Sequence, residues 1–171
     1  MTVITAAQFK AMLQAGETIS DVQVNEMINI QATDAIAGNI QVNSSVLLDM
    51  RIAGQTVPAI NLFMTHIRTL QLSQCNIDQL AIGPQGSSFQ RIEADPLTTI
   101  TLLNIGGVDA SGGVRITGST VRKINVSDCS LQGIYLSLNA AVSCAWKATN
   151  FNCNQVTFAG NFLFLQAQIT T

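Results

Sequence analysis

The chain has 171 residues, of which 47% are apolar and 11% charged, against about a quarter charged in an ordinary domain. Low charge with positive mean hydropathy excludes a disordered chain. A net charge of −2 supplies no basic footprint for nucleic acid. The length fits a single domain, 1–171, able to bury a substantial core.

The chain opens with a short helix over 5–16. Thr5 and Gln8 have capping-box spacing, and Ile4 and Phe9 are placed as a hydrophobic staple. Phe9, Met12 and Leu13 share one face, and Gly16 is a C-terminal stop. A one-sided helix this short needs a surface to dock on, so it is expected to plug the open end of a solenoid. Val22 and Val24 then alternate as in a strand and lead into the first coil.

From Ile30 to residue 161 the apolar residues recur in steps of five. The expected inward pairs begin Ile30/Ala32, Ala35/Ala37, Ile40/Val42, Ser45/Leu47 and Met50/Ile52. They continue Gln55/Val57, Ile60/Leu62, Thr65/Ile67, Leu70/Leu72, Cys75/Ile77 and Leu80/Ile82. Then come Gln85/Ser87, Gln90/Ile92, Asp95/Leu97 and Ile100/Leu102. Neither the helical period of 3.6 nor unbroken alternation produces this spacing. A chain that turns a corner every five residues does, and four corners close a square coil of about 20 residues, stacked at about 4.8 Å. Bulky pairs recur every ten residues, with small or polar first members between them, which fills a narrow interior.

The segment 105–113, IGGVDASGG, interrupts the grid and reads as a protruding loop of four extra residues. The grid resumes at Val114/Ile116 and runs through Ile124/Val126, Cys129/Leu131 and Cys144/Trp146. The last stretch, 162–171, begins with Phe162, Leu163, Phe164 and Leu165. It is expected either to cap the final coil or to meet a second copy, giving a homo-oligomer joined at its C-terminal end.

The period of five, the small residue two before a Leu, Ile or Phe, and units such as CNIDQ, CSLQG and TNFNC resemble the pentapeptide-repeat family over roughly residues 30 to 160. The resemblance implies an all-β fold, a right-handed, four-sided parallel β-helix with a short N-terminal capping helix. A broader right-handed β-helix is the alternative. It also implies that some members dimerise through apolar C-terminal ends, and that some bind type II topoisomerases by presenting an acidic rod.

No catalytic constellation is legible. Asp49, Arg51, Arg91, Glu93 and Asp95 are the nearest thing to a charged cluster, without a carboxylate pair spaced to hold a water. His66 is the one histidine and has no nucleophile in register. Cys75, Cys129, Cys144 and Cys153 lack metal-ligand spacing, so neither metal nor cofactor is expected. Cys153 alone falls at an outward position, a candidate reactive thiol, while Trp146 falls inward.

Stacking the outward residues coil by coil aligns Gln31, Arg51, Gln71, Arg91, Arg115, Tyr135 and Gln155 on one face. Such a ladder is a binding face for an anion or glycan, or else a solvated β-face whose long stems cover the backbone. The reading is a non-catalytic binding or assembly module, self-associating and presenting this face (Arg51, Gln71, Arg91, Arg115, Tyr135) to a protein or glycan. The alternatives are a regulator that binds a DNA topoisomerase and, third, an enzyme acting on polysaccharide. MTVITAAQFK lacks a basic region followed by an apolar one, and no run has the length of a membrane span, so a cytoplasmic location is expected.

Overall fold

The fold is described from a computed structural model, which covers residues 1–36, 38–83, 87–107, 113–117, 120–131, 133–153 and 156–170. Beyond residue 107 it describes the side chains of residues 114, 115, 121–130, 133 and 135.

The chain is a parallel β-solenoid with about 21 residues per turn and one short helix at the N-terminus. Strand β1 (Thr2–Val3) and helix α1 (Ala6–Gln14) precede β2 (Ile19–Ser20), β3 (Val22–Ile30) and β4 (Ile40–Asn43). Next along the chain are β5 (Val46–Ala53), β6 (Thr56–Phe63), β7 (His66–Ser73), β8 (Asn76–Ile82), β9 (Ser88–Ala94) and β10 (Thr99–Gly106). The last are β11 (Gly113–Thr117), β12 (Thr120–Leu131), β13 (Gly133–Cys153) and β14 (Val156–Thr170). The odd strands β1 to β11 form one parallel ladder and the even strands β2 to β12 another. β13 is long enough to continue both, and β14 pairs along it.

Each strand of the regular region carries parts of two sides. In β5, Leu47 is buried before the bend at Leu48 and Asp49, and Met50 and Ile52 are buried after it. Every inward pair from Ser45/Leu47 to Leu80/Ile82 is buried as the period of five requires. The small polar first members solve a local problem. At a corner the carbonyl two residues back points inward, and a short donor reaches it. Ser45 Oγ donates to Asn43 O at 2.7 Å, Thr65 Oγ1 to Phe63 O at 2.9 Å, and the Cys75 thiol to Ser73 O at 3.3 Å. Each of these carbonyls also accepts a backbone amide, from Asp21, Ser44 and Gly54 respectively, so the side-chain donor fills its second lone pair.

Helix α1 forms as its cap predicts. Gln8 N donates to Thr5 Oγ1 at 3.1 Å, and Thr5 N donates to Gln8 Oε1 at 2.8 Å. Its end has the Schellman pattern, with Glu17 N donating to Met12 O and Gly16 at φ 74°. Phe9 and Leu13 are buried in the same apolar core as the solenoid, so the helix closes the N-terminal end.

The grid departs from the even five-step count in three places. In β3 a one-residue bulge falls between Val24, opposite Leu47, and Met27, opposite Asp49. The inward pair is Ile28/Ile30, not Ile30/Ala32, because Ile30 to Ile40 spans two residues more than the stacked Ile52 to Ile60, and Ala32 and Ala35 are exposed. The bulge has a cause: Glu26 turns to the helix N-terminus and accepts from Ala6 N at 2.6 Å.

After Gly83 the inward pairs are Ser87/Phe89 and Ile92/Ala94, and Gln90 is exposed. Gly83 has φ 123°, and a Cβ there would lie 1.8 Å from Gly106 O, so the chain leaves the coil where only glycine fits. The turn at 95–98 adds one more residue. Thr98/Ile100 and Leu103/Ile105 are inward, Leu97 is 69% exposed, and Asp95 is not an inward residue. Gln85 and Ala37 lie outside the described residues. The register makes the turn lengths explicit: Met50 stacks on Leu70, 20 residues on, but Leu80 on Leu103, 23 residues on.

Of the glycine segment, 108–112 lie outside the described residues. The turn containing it, from Ile92 to Val114, is 22 residues long, not the 24 that four extra residues would give. The segment 162–171 continues the ladder, with Val142 opposite Phe162 and Cys144 opposite Phe164. The side chains of Phe162 to Leu165 lie outside those described, as do those of Trp146, Cys144 and Cys153. Among the described residues no helix is long and apolar enough to cross a membrane.

Candidate functional site

The outer face of the odd-strand ladder carries the most organised set of polar side chains. On β5, β7, β9, β11 and β13 stand Arg51, Gln71, Glu93, Arg115 and Tyr135, each opposite the next. Parallel pairing puts them at strand spacing, about 4.8 Å per step.

Four of the five residues expected on this face, Arg51, Gln71, Arg115 and Tyr135, are in one column. Arg91 is not: it stands opposite Thr69 and Gly113, two residues along the strand, and Glu93 takes its place. The reason is the slip after Gly83, which moves the column by two positions. At the ends, Asn29 precedes Arg51 where Gln31 was expected, and Thr157 follows Tyr135 where Gln155 was. Glu93 was legible in principle, because Ser87-x-Phe89 repeats the small-x-large pattern of Ser45-x-Leu47 and resets the count.

The column is held by contacts between its own steps. Gln71 Nε2 donates to Glu93 Oε2 at 3.3 Å, and Arg91 Nη1 lies 3.4 Å from Glu93 Oε1. The Arg115 guanidinium sits over the Tyr135 ring, 4.7 Å from its centroid, a cation–π distance. Arg51 and Arg115 make no ion pair among the described residues.

Beside the column runs a groove of about 430 Å³. One wall is Arg51, Gln71, Glu93 and Arg115; the other is Ser73 and Asp95, above Leu72 and Ala94. Asp95 is fixed in place. It accepts from Ser73 Oγ at 2.6 Å, Thr98 Oγ1 at 2.8 Å, and the backbone amides of Gln74 and Leu97 at 3.1 Å each. Partial burial pushes its carboxyl up, but the donors from Ser73, Gln74, Thr98 and Leu97 together hold it below the usual range. A smaller groove of about 230 Å³ lies on the other side, where Arg68 Nε donates to Asp49 Oδ1 at 2.9 Å. That guanidinium holds the Asp49 carboxyl below its ordinary range.

The remaining candidates are His66 and the cysteines. His66 Nδ1 is 2.7 Å from Ser88 Oγ on the exposed face. Cys75 and Cys129 are buried, and burial pushes the Cys75 thiol up. Cys153 stands opposite Leu131. Among the described residues no group of three or more His, Cys, Asp or Glu side chains is placed to hold a metal ion.

No family model matches the chain, and neither a curated protein nor a solved structure matches it.

Proposed function

We propose that the protein is a non-catalytic binding module that presents the odd-strand face to a partner molecule, with copies associating through the C-terminal end. The observation that carries this is the column Arg51–Gln71–Glu93–Arg115–Tyr135, unbroken over four ladder steps. Every outward position of a parallel stack forms a column, so what sets this one apart is its side chains. Here planar hydrogen-bonding groups are spaced by the backbone ladder and braced by one another, so little side-chain entropy remains to be lost on binding.

Self-association is supported by the apolar run Phe162–Leu165 lying on β14, which pairs on one side with β13. An apolar strand at the edge of a parallel stack suits an isologous contact. The chain is further read as a divergent relative of the pentapeptide-repeat solenoids. That reading rests on the period of five, regular from Ser45 to Ile82, and on the capping helix.

The test is binding of the purified chain to arrays of glycans and of folded proteins, alongside the double variant Arg51→Ala/Arg115→Ala. A ligand retained by the natural chain and lost by a well-folded variant is the expected result. Identical profiles for the two, or none for either, would sink the proposal.

A further inference from the structure

We infer that the groove beside the column is a subsite for an uncharged, polyhydroxylated chain, a neutral oligosaccharide. This rests on the binding-module reading and names the ligand class of the same face. Three observations carry it.

The first is charge. The groove is lined by two cations, Arg51 and Arg115, and two carboxylates, Glu93 and Asp95, so the charge of its lining cancels, with Arg91 pairing Glu93 from outside it. An anionic partner meets Glu93 and Asp95, and a cationic one meets the two arginines. Like charges brought together in a desolvated contact cost several kcal/mol, so neither ionic class is favoured. A neutral ligand escapes both penalties.

The second is donor and acceptor arrangement. A sugar hydroxyl both gives and takes a hydrogen bond, so neighbouring hydroxyls need both kinds of partner within one step of the ladder. The column alternates them: Arg51 donates, Gln71 does both, Glu93 accepts and Arg115 donates. Asp95, its carboxylate fixed by Ser73, Thr98 and the amides of Gln74 and Leu97, forms the opposite wall. Glu93 is oriented by Gln71 and Arg91, and Arg115 by the Tyr135 ring. Groups held in place this way bind without a further ordering cost.

The third is size. A volume of about 430 Å³ falls in the range of small-ligand sites, roughly 300–1,000 Å³. From Arg51 to Arg115 is three ladder steps, about 14 Å at strand spacing. That length accepts a few sugar units in line with the solenoid axis.

The experiment is titration calorimetry on the full chain with three sets of probes of matched length. These are neutral hexasaccharides (gluco-, xylo- and mannohexaose), hexagalacturonic acid, and a hexaglutamate peptide. Each is measured at about 50 and about 500 mM salt, which separates screened from unscreened contacts. A neutral hexasaccharide is expected to bind best, with little salt dependence. Its affinity should fall tenfold or more in Glu93→Gln and in Arg51→Ala, each of which removes a charged hydrogen-bond partner. Arg122→Ala, exposed on β12 of the other ladder, should bind normally. Arg51 makes no ion pair among the described residues, so its replacement keeps the test valid should Glu93→Gln fail to fold. Preference for the uronate or the peptide, lost at high salt, would overturn the inference and leave the module reading standing. So would silence from all sugars while a protein ligand binds through Arg51 and Arg115. No ligand of any class would end both.

Discussion

Asp95 and Leu97 offer the sharpest test of how the turns are built. Counting by fives from Ile82 points both side chains into the core, whereas in the structure Leu97 is 69% exposed and Asp95 closes a turn. The two placements predict opposite outcomes for the same pair of substitutions. Asp95→Leu removes an acceptor that holds two side-chain hydroxyls and two backbone amides. A hydrogen bond to a charged group is worth about 1.5–3 kcal/mol. The four share one carboxylate and do not add, and the exposed amides can turn to water, so the expected loss is about 2–4 kcal/mol. Leu97→Ser touches little and should stay within about 0.5 kcal/mol. The assay is urea unfolding followed by far-ultraviolet circular dichroism, comparing midpoints at unchanged slope. A stable Asp95→Leu together with a Leu97→Ser that loses about 2 kcal/mol or more, the cost of emptying a core site, would refute the turn described here.

Other outcomes rest on the same geometry. Leu70→Ala empties a fully buried site between Met50 and Ile92 and should cost about 2–5 kcal/mol by the same unfolding assay. Gly83→Ala forces a Cβ onto the Gly106 carbonyl at a φ that L-residues avoid; a Tm within a few degrees of the natural chain would contradict the close approach. Asp95, Asp49 and Asp34 all have carboxyls held below their ordinary value. The stability they contribute is therefore complete above about pH 4, near the unfolded value, and is lost as pH falls through their lower folded values. Asp95→Asn should flatten the acid side of the melting-temperature profile. In a Cys144→Ser/Cys153→Ser background, the buried Cys75 and Cys129 should react with a thiol reagent only on unfolding; rapid native labelling would contradict their burial. Light scattering should give a multimer that Phe162→Ser/Phe164→Ser converts to a folded monomer.

Much of this architecture is legible because one physical constraint repeats. A narrow interior accepts two inward residues per side, so any stretch without an inserted residue, such as Ser45 to Ile82, writes its own register. The capping helix is equally plain, since Thr5, Gln8 and Gly16 each satisfy a terminus that would otherwise be open. What periodicity hides is the slip. The connection after Ile30 holds two extra residues, Gly83 starts a detour, and Asp95 builds a turn of its own. None of these changes the local alternation; each only shifts its phase. The outward column suffers most, because one two-residue slip trades Arg91 for Glu93 and leaves two cations and one carboxylate where three cations were expected.

The uneven turns carry a consequence for how such a chain can change length. Successive turns of 20 and 23 residues present the same inner outline to their neighbours, so the stack does not register how much chain lies outside it. A tandem duplication of one circuit, for example the 20 residues from Ser45 to Met64, would slot in as a new storey. It would raise the rod by about 4.8 Å, leave its cross-section alone, and add one more arginine to the Arg51–Tyr135 row. Reach along the axis and chemistry across it are therefore free to evolve separately.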